Sequence, residues 1–312
     1  MSALLFPGQG SQIVGMGSEF YNNFDIVKKI FKEADEKLNY PISNLILNGP
    51  EDQLQLTQNT QPSILTVSFS IFKVLKDEFD FDFNTFNYFA GHSLGEYSAL
   101  VCSESLKFED AIYLLYERGK AMQEAVPVGK GSMLAILGTK ITDIYDLLNS
   151  FKEKGVCEIA NDNADGQVIV SGDKDSIDSF QSLLKEKKIK SIPLKVSAPF
   201  HCSLMKSAAD KMSDKIENIK FGKPTHSILS NVTAKIEKNP ENIKKLLIDQ
   251  IFSTVKWRET IINISNEGVS NFVEIGPGKV LTGMVKRTIK NANCFSINSV
   301  DDIKNLKNEF KK

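Results

Sequence analysis

The sequence lacks most of the features that would assign it to a specialised class. No apolar run approaches the length needed to span a bilayer. The opening MSALLFPGQG has neither the basic start of a secretory signal nor the composition of a transit peptide. The four cysteines, Cys102, Cys157, Cys202 and Cys294, show no CxxC or Cys/His ligand spacing, so buried free thiols in a reducing compartment are expected, and no metal. An excess of one charge is also absent. Lys plus Arg is 38 and Asp plus Glu is 39, and the net charge of -1 gives no global attraction to nucleic acid or membrane. Low-complexity tracts and fixed-period repeats are missing too. A cytoplasmic protein is the expectation, and a mature organellar form that has shed its presequence fits as well.

What is present is ordinary globular material. The 312 residues, 41% hydrophobic and 25% charged, suit one large domain or one plus a small insert. The apolar run ALLF stops at PGQG and reads as a buried strand entering a tight loop; FNYFAGHS reads the same way. NNFDIVKKIFKEADEKL, QPSILTVSFSIFKVLKDEF, LGEYSALVCSESL and KFEDAIYLLYERGKAMQEAV carry helical patterns. Such alternation predicts an α/β fold with a mostly parallel sheet. Residues 127–197 have a different rhythm: GSMLAILG, ITDIYDLLNSFKEKG, VCEIANDN, GQVIVSGD, DSIDSFQSLLKEKK and KSIPLKVS follow the order βαββαβ of a ferredoxin-like unit. That stretch is expected to be a small subdomain inserted into a larger core of residues 1–126 and 198–312.

GHSLG, from Gly91 to Gly95, fits the pattern G-x-S-x-G. A nucleophile on a sharp strand-to-helix turn needs small residues two places to either side, because the backbone crowds there. The helix start gives Ser93 a positive dipole end, and the N–H of Leu94 is placed to receive an oxyanion. The competing reading is a serine that merely caps the helix. A nucleophilic serine needs a base, and there are only three histidines. His92 adjoins Ser93, and neighbouring side chains on a sharp turn diverge. His226 sits in the strand-like KPTHSILSN. His201 lies in SAPFHCSLM, a Pro-containing loop where the two units should meet, and is the expected base. FPGQGSQ fails as a dinucleotide loop, because Ile13 stands where a third glycine is required. A loop donating backbone N–H groups to an oxyanion fits it equally well. On its own helix, Arg118 reads as an exposed arginine pairing with Glu117 or Glu124.

Taken together, FPGQGSQ (6–12), GHSLGEYSAL (91–100), ERGKAMQEA (117–125), GQVIVSG (166–172), SAPFHCSLM (197–205), NVTA (231–234) and EIGPGKVLTG (274–283) resemble the malonyl-CoA:acyl carrier protein transacylases, the acyltransferase family of fatty acid and polyketide synthesis. The resemblance covers nearly the whole chain. It implies a hydrolase-like core with the site in the groove beneath the ferredoxin-like insert. It also implies transfer of a malonyl group from malonyl-CoA to the phosphopantetheine thiol of acyl carrier protein, with no metal or redox cofactor. Ser93 would be the acylated nucleophile and His201 its base, oriented by the backbone carbonyl of Gln250. Gln9 and Leu94 would donate the oxyanion-hole N–H groups. Arg118 would hold the malonyl carboxylate. Phe200 would exclude an α-methyl branch, as Phe does at this point in related polyketide enzymes, and Leu94 agrees with malonyl use.

Acyl carrier proteins are acidic, so the cleft mouth is expected to be basic. Two clusters qualify, Lys185, Lys187, Lys188, Lys190 and Lys195, and Lys286, Arg287 and Lys290; either reads equally as a solvated face. A monomer is expected, and a free-standing chain favours the dissociated fatty acid system over a polyketide carrier. Two rivals stand beside this reading. A thioesterase or lipase of the α/β-hydrolase type would share G-x-S-x-G, but it wants the order Ser, Asp or Glu, then a late His, and no suitable third member is visible. A non-catalytic carrier-binding scaffold would be expected to have lost at least one of Ser93, His201, Arg118 and Gln9.

Overall fold

The computed structural model describes residues 1–152, 154–196 and 198–310. Strands β1 (Ser2–Phe6) and β2 (Phe86–Gly91) open a larger sheet. The chain then builds a smaller sheet from β3 (Gly131–Leu137), β4 (Cys157–Ala164), β5 (Gln167–Asp173) and β6 (Lys190–Pro193). It returns to the larger one through β7 (Ser227–Leu229), β8 (Ile236–Glu237), β9 (Asn271–Ile275) and β10 (Asn293–Ile297). The larger sheet has the order β10-β9-β1-β2-β7-β8 and is parallel except for the β7–β8 pair.

The apolar runs of β1 and β2 follow from burial on both faces. With side chains alternating, Leu4, Phe6 and Phe89 point into the main core, and Ala3, Leu5, Tyr88 and Ala90 into a second core on the other face. Helices Thr57–Asp77 and Phe108–Glu124 supply much of the first core, and Trp257–Asn266 and Val280–Thr288 supply the second. The helix expected from QPSIL onward starts earlier, at Thr57, with Pro62 inside it.

The smaller sheet runs β4-β5-β3-β6 with every pair antiparallel. Helices Ile141–Ser150 and Lys174–Glu186 cover one of its faces, meeting Leu134, Ile136, Val168 and Val170. The other face, with Met133, Ala135, Ala160 and Ile169, joins the main core. This two-sided burial seats the small unit over the carboxyl ends of the large sheet's strands, where open α/β sheets place their ligands. Backbone bonds from Asp162 N to Val255 O (3.0 Å) and from Val255 N to Ala160 O (2.8 Å) fasten it there, as does Arg258 Nε on Asp162 Oδ1 at 2.9 Å. β6 is shorter than KSIPLKVS suggested, ending at Pro193. Ser197, at the expected end of the insert, lies outside the described residues, as do Lys311 and Lys312 at the expected end of the core. No described helix is long and apolar enough to cross a membrane.

Candidate active site

Ser93 sits between β2 and the helix Gly95–Cys102 with φ 53°, a left-handed conformation uncommon for a residue with a side chain. The flanking glycines make the turn possible. A Cβ on Gly91 would lie 1.8 Å from the Gly95 carbonyl, and one on Gly95 would lie 2.2 Å from Phe6 O. Asn231 pins the turn from outside: its Oδ1 accepts from Ser93 N at 2.7 Å and its Nδ2 donates to Gly91 O at 2.7 Å.

His201 also has positive φ, 58°. The loop that holds it is clamped to β4, where the Glu158 carboxylate accepts from Ser203 N at 2.8 Å and Ser203 Oγ at 2.6 Å. His201 Nε2 is 2.8 Å from Ser93 Oγ, and Nδ1 is 2.8 Å from the Gln250 carbonyl. A carbonyl only accepts, so Nδ1 carries the proton and Nε2 is left as the acceptor for the serine hydroxyl. Burial, reinforced by the nearby Arg118 cation, lowers the imidazole pKa to about 3. At neutral pH the group is an uncharged base.

Arg118 is 1% exposed, which overturns the expectation of a surface arginine. Glu117 pairs instead with Lys215 and Lys120, and Glu124 with Lys211. Gly119 is the reason the arginine reaches the interior. A Cβ there would meet Gln58 Cα at 2.4 Å, so the two helix backbones touch, and Arg118 Nη1 donates to Gln61 Oε1 at 2.7 Å. Its Nη2 donates to Gln250 Oε1 at 2.9 Å and to Ser93 Oγ at 3.2 Å. Nε is buried and has no partner among the described residues. No carboxylate forms an ion pair with Arg118 among the described residues. A buried cation solvated only by neutral oxygens retains a strong attraction for an anion.

These groups open on a cleft of about 710 Å³ between the two units. Gln9, Leu94 and Ser93 line it, together with Phe200, Met133, Val280 and Met284. The loop after β1 runs against the serine turn, since a Cβ on Gly8 would lie 2.6 Å from His92 O. The backbone N–H groups of Gln9 and Leu94 donate to nothing among the described residues. His92 turns away from the serine, as expected, and its Nε2 meets Asn163 Oδ1 at 2.8 Å. His226 stacks on Phe89 with ring centroids 4.1 Å apart, outside the site.

A model of the acyl transferase domain matches residues 3–310. The malonyl CoA-acyl carrier protein transacylase of Haemophilus influenzae is 42% identical over 299 residues, covering 96% of this chain and 95% of that one. The crystal structure of an acyl-carrier-protein-S-malonyltransferase from Bartonella henselae superposes with a TM-score of 0.96 at 37% identity, covering 100% and 99% of the two chains. A malonyl-transacylase in complex with a type II PKS acyl-carrier protein superposes with a TM-score of 0.94 at 39% identity, covering 98% and 99%. The chain belongs to the acyl transferase domain family.

The hydrolase rival wants a carboxylate on Nδ1 of the histidine; this acyl transferase has a backbone carbonyl there. Among the polar residues given no role from the sequence, Gln61, Glu96, Asn163 and Asn231 bond to the groups described above. Glu96 had a readable signal. It is the one charged residue in the otherwise uncharged helix GEYSALVC, and it is buried at 2% exposure. Asn231 stood in the quoted NVTA without a part to play.

The depressed His201 basicity has a testable sign. The unfolded chain's histidine takes a proton below about 6.5, whereas the folded one does not until about 3. The site therefore contributes stability above the unfolded value, which is lost as the pH falls through that window. NMR of histidine-labelled protein, assigned with His201→Gln, should show the His201 ring neutral from pH 8 down to 5. A titration centred near 6.5 would contradict the buried, cation-flanked geometry.

Proposed function

We propose that this acyl transferase moves the malonyl group of malonyl-CoA to the phosphopantetheine thiol of an acyl carrier protein through a malonyl ester on Ser93, in fatty acid biosynthesis. In the first half, Ser93 Oγ gives its proton to His201 Nε2 as it attacks the thioester carbonyl. The C–S bond breaks and the departing CoA sulfur takes that proton. In the second half, the carrier thiol gives its proton to His201, its sulfur attacks the serine ester, and Ser93 Oγ recovers the proton as it leaves. The N–H groups of Gln9 and Leu94 are assigned to the oxyanion of both tetrahedral intermediates. No cofactor is needed for either half.

The observation that carries the reading is the 3.2 Å contact between Arg118 Nη2 and Ser93 Oγ. An acyl group on that oxygen has its second carboxylate one carbon beyond the carbonyl if it is malonyl, within immediate reach of the guanidinium. A bidentate grip there selects a short dicarboxylic acyl group and fixes its orientation. The grip also favours transfer over hydrolysis. A held acyl chain leaves little room for an aligned water, and a thiol is more readily deprotonated than water. Burial is the larger cause of the lowered His201 basicity and Arg118 the second, so a carboxylate on Arg118 relieves the second part and makes the base somewhat stronger.

Phe200 is 7% exposed and lines the cleft close to His201, where its ring would crowd a branch on the α-carbon. Lys195 lines the cleft as well, and the helix bearing Val280 and Met284 carries the exposed Lys286 and Arg287. We assign carrier docking to these basic groups, with Lys185, Lys187, Lys188, Lys190 and Lys290 flanking them. We read the larger unit as a hydrolase-like core and residues 127–197 as a ferredoxin-like insert, which the βαββαβ order and the antiparallel β4-β5-β3-β6 sheet support. We read the protein as a cytoplasmic monomer.

Intact-protein mass spectrometry after brief exposure to malonyl-CoA tests the core of this reading. One malonyl adduct is expected on the wild type and none on Ser93→Ala, discharged by holo-carrier protein; accumulation of free malonate instead would return the hydrolase reading. Arg118→Ala should lose about 3–5 kcal/mol of malonyl transfer, roughly a hundredfold or more in rate, and unchanged malonyl-CoA kinetics would remove Arg118 from its role. Phe200→Ser should raise methylmalonyl- over malonyl-CoA use, and an unmoved ratio would leave Phe200 as packing only. Reversing the charge of Lys286 and Arg287 should raise the KM for carrier and flatten its salt dependence while leaving malonyl-CoA loading alone. A KM equal to that of the wild type would rule out this face.

A further inference from the structure

Gln250 has 0% exposure and touches each part of the site. Its backbone carbonyl holds His201, and its side-chain Oε1 accepts from Arg118. At the other end of the amide, Nε2 lies 2.7 Å from Glu96 Oε2, 3.1 Å from Ser93 O and 3.3 Å from Asn231 Oδ1. All three are acceptors, so this end must be the NH₂. The contact with Glu96 is the shortest of the three and, when the carboxylate is ionised, the strongest. The same Oε2 also accepts from Asn231 N at 3.0 Å, which locks the carboxylate in place.

We propose that Glu96 is a positioning residue: by accepting from Gln250 Nε2 it fixes which way the amide faces and so holds Gln250 Oε1 on Arg118. A flipped amide would set its oxygen against Glu96 and its NH₂ against the guanidinium, and both ends would repel. Without Glu96 the shortest contact at the Nε2 end is gone, the flip is opposed only by the two longer ones and by the guanidinium itself, and each flip costs the guanidinium one of its two glutamine acceptors. The aim of Arg118 then loosens, while Ser93 and His201 keep their direct bond. Glu96 thereby acts on recognition of the acyl carboxylate and not on bond-making. This inference rests on the assignment of that carboxylate to Arg118.

The test is the rate of acyl-enzyme formation from malonyl-CoA and from acetyl-CoA, followed by intact mass, for wild type, Glu96→Gln, Glu96→Asp, Glu96→Leu and Arg118→Ala. Glutamine can place an oxygen where Oε2 stands and meet both donors, so Glu96→Gln should keep the malonyl-to-acetyl ratio of the wild type. Glu96→Leu removes the acceptor and Glu96→Asp withdraws it by one methylene. Both should lower the ratio about tenfold, the scale of one buried hydrogen bond, through a higher KM for malonyl-CoA. A purely structural role would lower both substrates in parallel with the folded fraction. If Glu96→Leu does not fold, the Asp and Gln variants decide the matter. A parallel loss in Asp, or a Gln variant as unselective as Leu, overturns the proposal. Should Arg118→Ala itself leave the ratio unmoved, the underlying assignment fails; should it collapse the ratio while the Asp and Leu variants do not, Glu96 alone is excluded.

Discussion

Arg118 is sealed from solvent and hydrogen-bonded to two glutamine side-chain oxygens and one serine hydroxyl. Burying a guanidinium this way is unfavourable unless its N–H groups are met. A direct carboxylate partner would stabilise it further, but would also cancel its field. Two amide oxygens and a hydroxyl, all neutral, accept three hydrogen bonds from it and leave the charge available. Burial and this charge lower the His201 pKa, and the same charge opposes the burial that raises Glu96 to about 7. The site is thus arranged around a cation that needs an anion, with a neutral base beside it.

The fold places that cation through contacts that are individually simple. The close approach at Gly119 puts Arg118 against Gln61, the end of helix Pro240–Gln250 delivers Gln250, and the β2 turn delivers Ser93. The two reacting side chains both sit on left-handed backbone, at φ 53° and 58°. Such conformations cost on the order of 1–3 kcal/mol each and persist only where the surroundings determine them. Asn231 supplies the determination for Ser93, and Glu158 does so for His201 by holding Ser203. Glu158 belongs to β4, so the small unit is part of what holds the base as well as a wall of the cleft.

The legible residues are those whose role has a local requirement. Ser93 was readable because a sharp turn needs Gly91 and Gly95, and His201 because three histidines left little choice. β1, β2 and the strands of the smaller sheet were readable because burial on two faces makes apolar runs. Arg118 was not readable from its own helix, where Glu117 and Glu124 made surface pairs plausible; only the wider resemblance placed it inside. Its burial depends on Gln61 and Gln250, 57 and 132 residues away. Gln250 orients His201 by a backbone carbonyl, which every residue has and no side chain betrays. β6 ends at Pro193, opposite Leu134 on β3, where the proline brings no N–H to the ladder.

The same dependence on distant parts explains why a serine–histidine pair here suits transfer. Hydrolysis needs only the pair, an oxyanion site and a water. Exchange between two thioesters needs the ester to last until the second thiol arrives. The cation we assign to the acyl carboxylate touches Ser93 itself, so on that reading an acyl group able to form the ester is also the group that is restrained once formed. An acyl group without a carboxylate leaves the guanidinium on its amides and His201 at its depressed basicity. Selection of the donor and protection of the intermediate then come from one interaction, and loosening that interaction weakens both together.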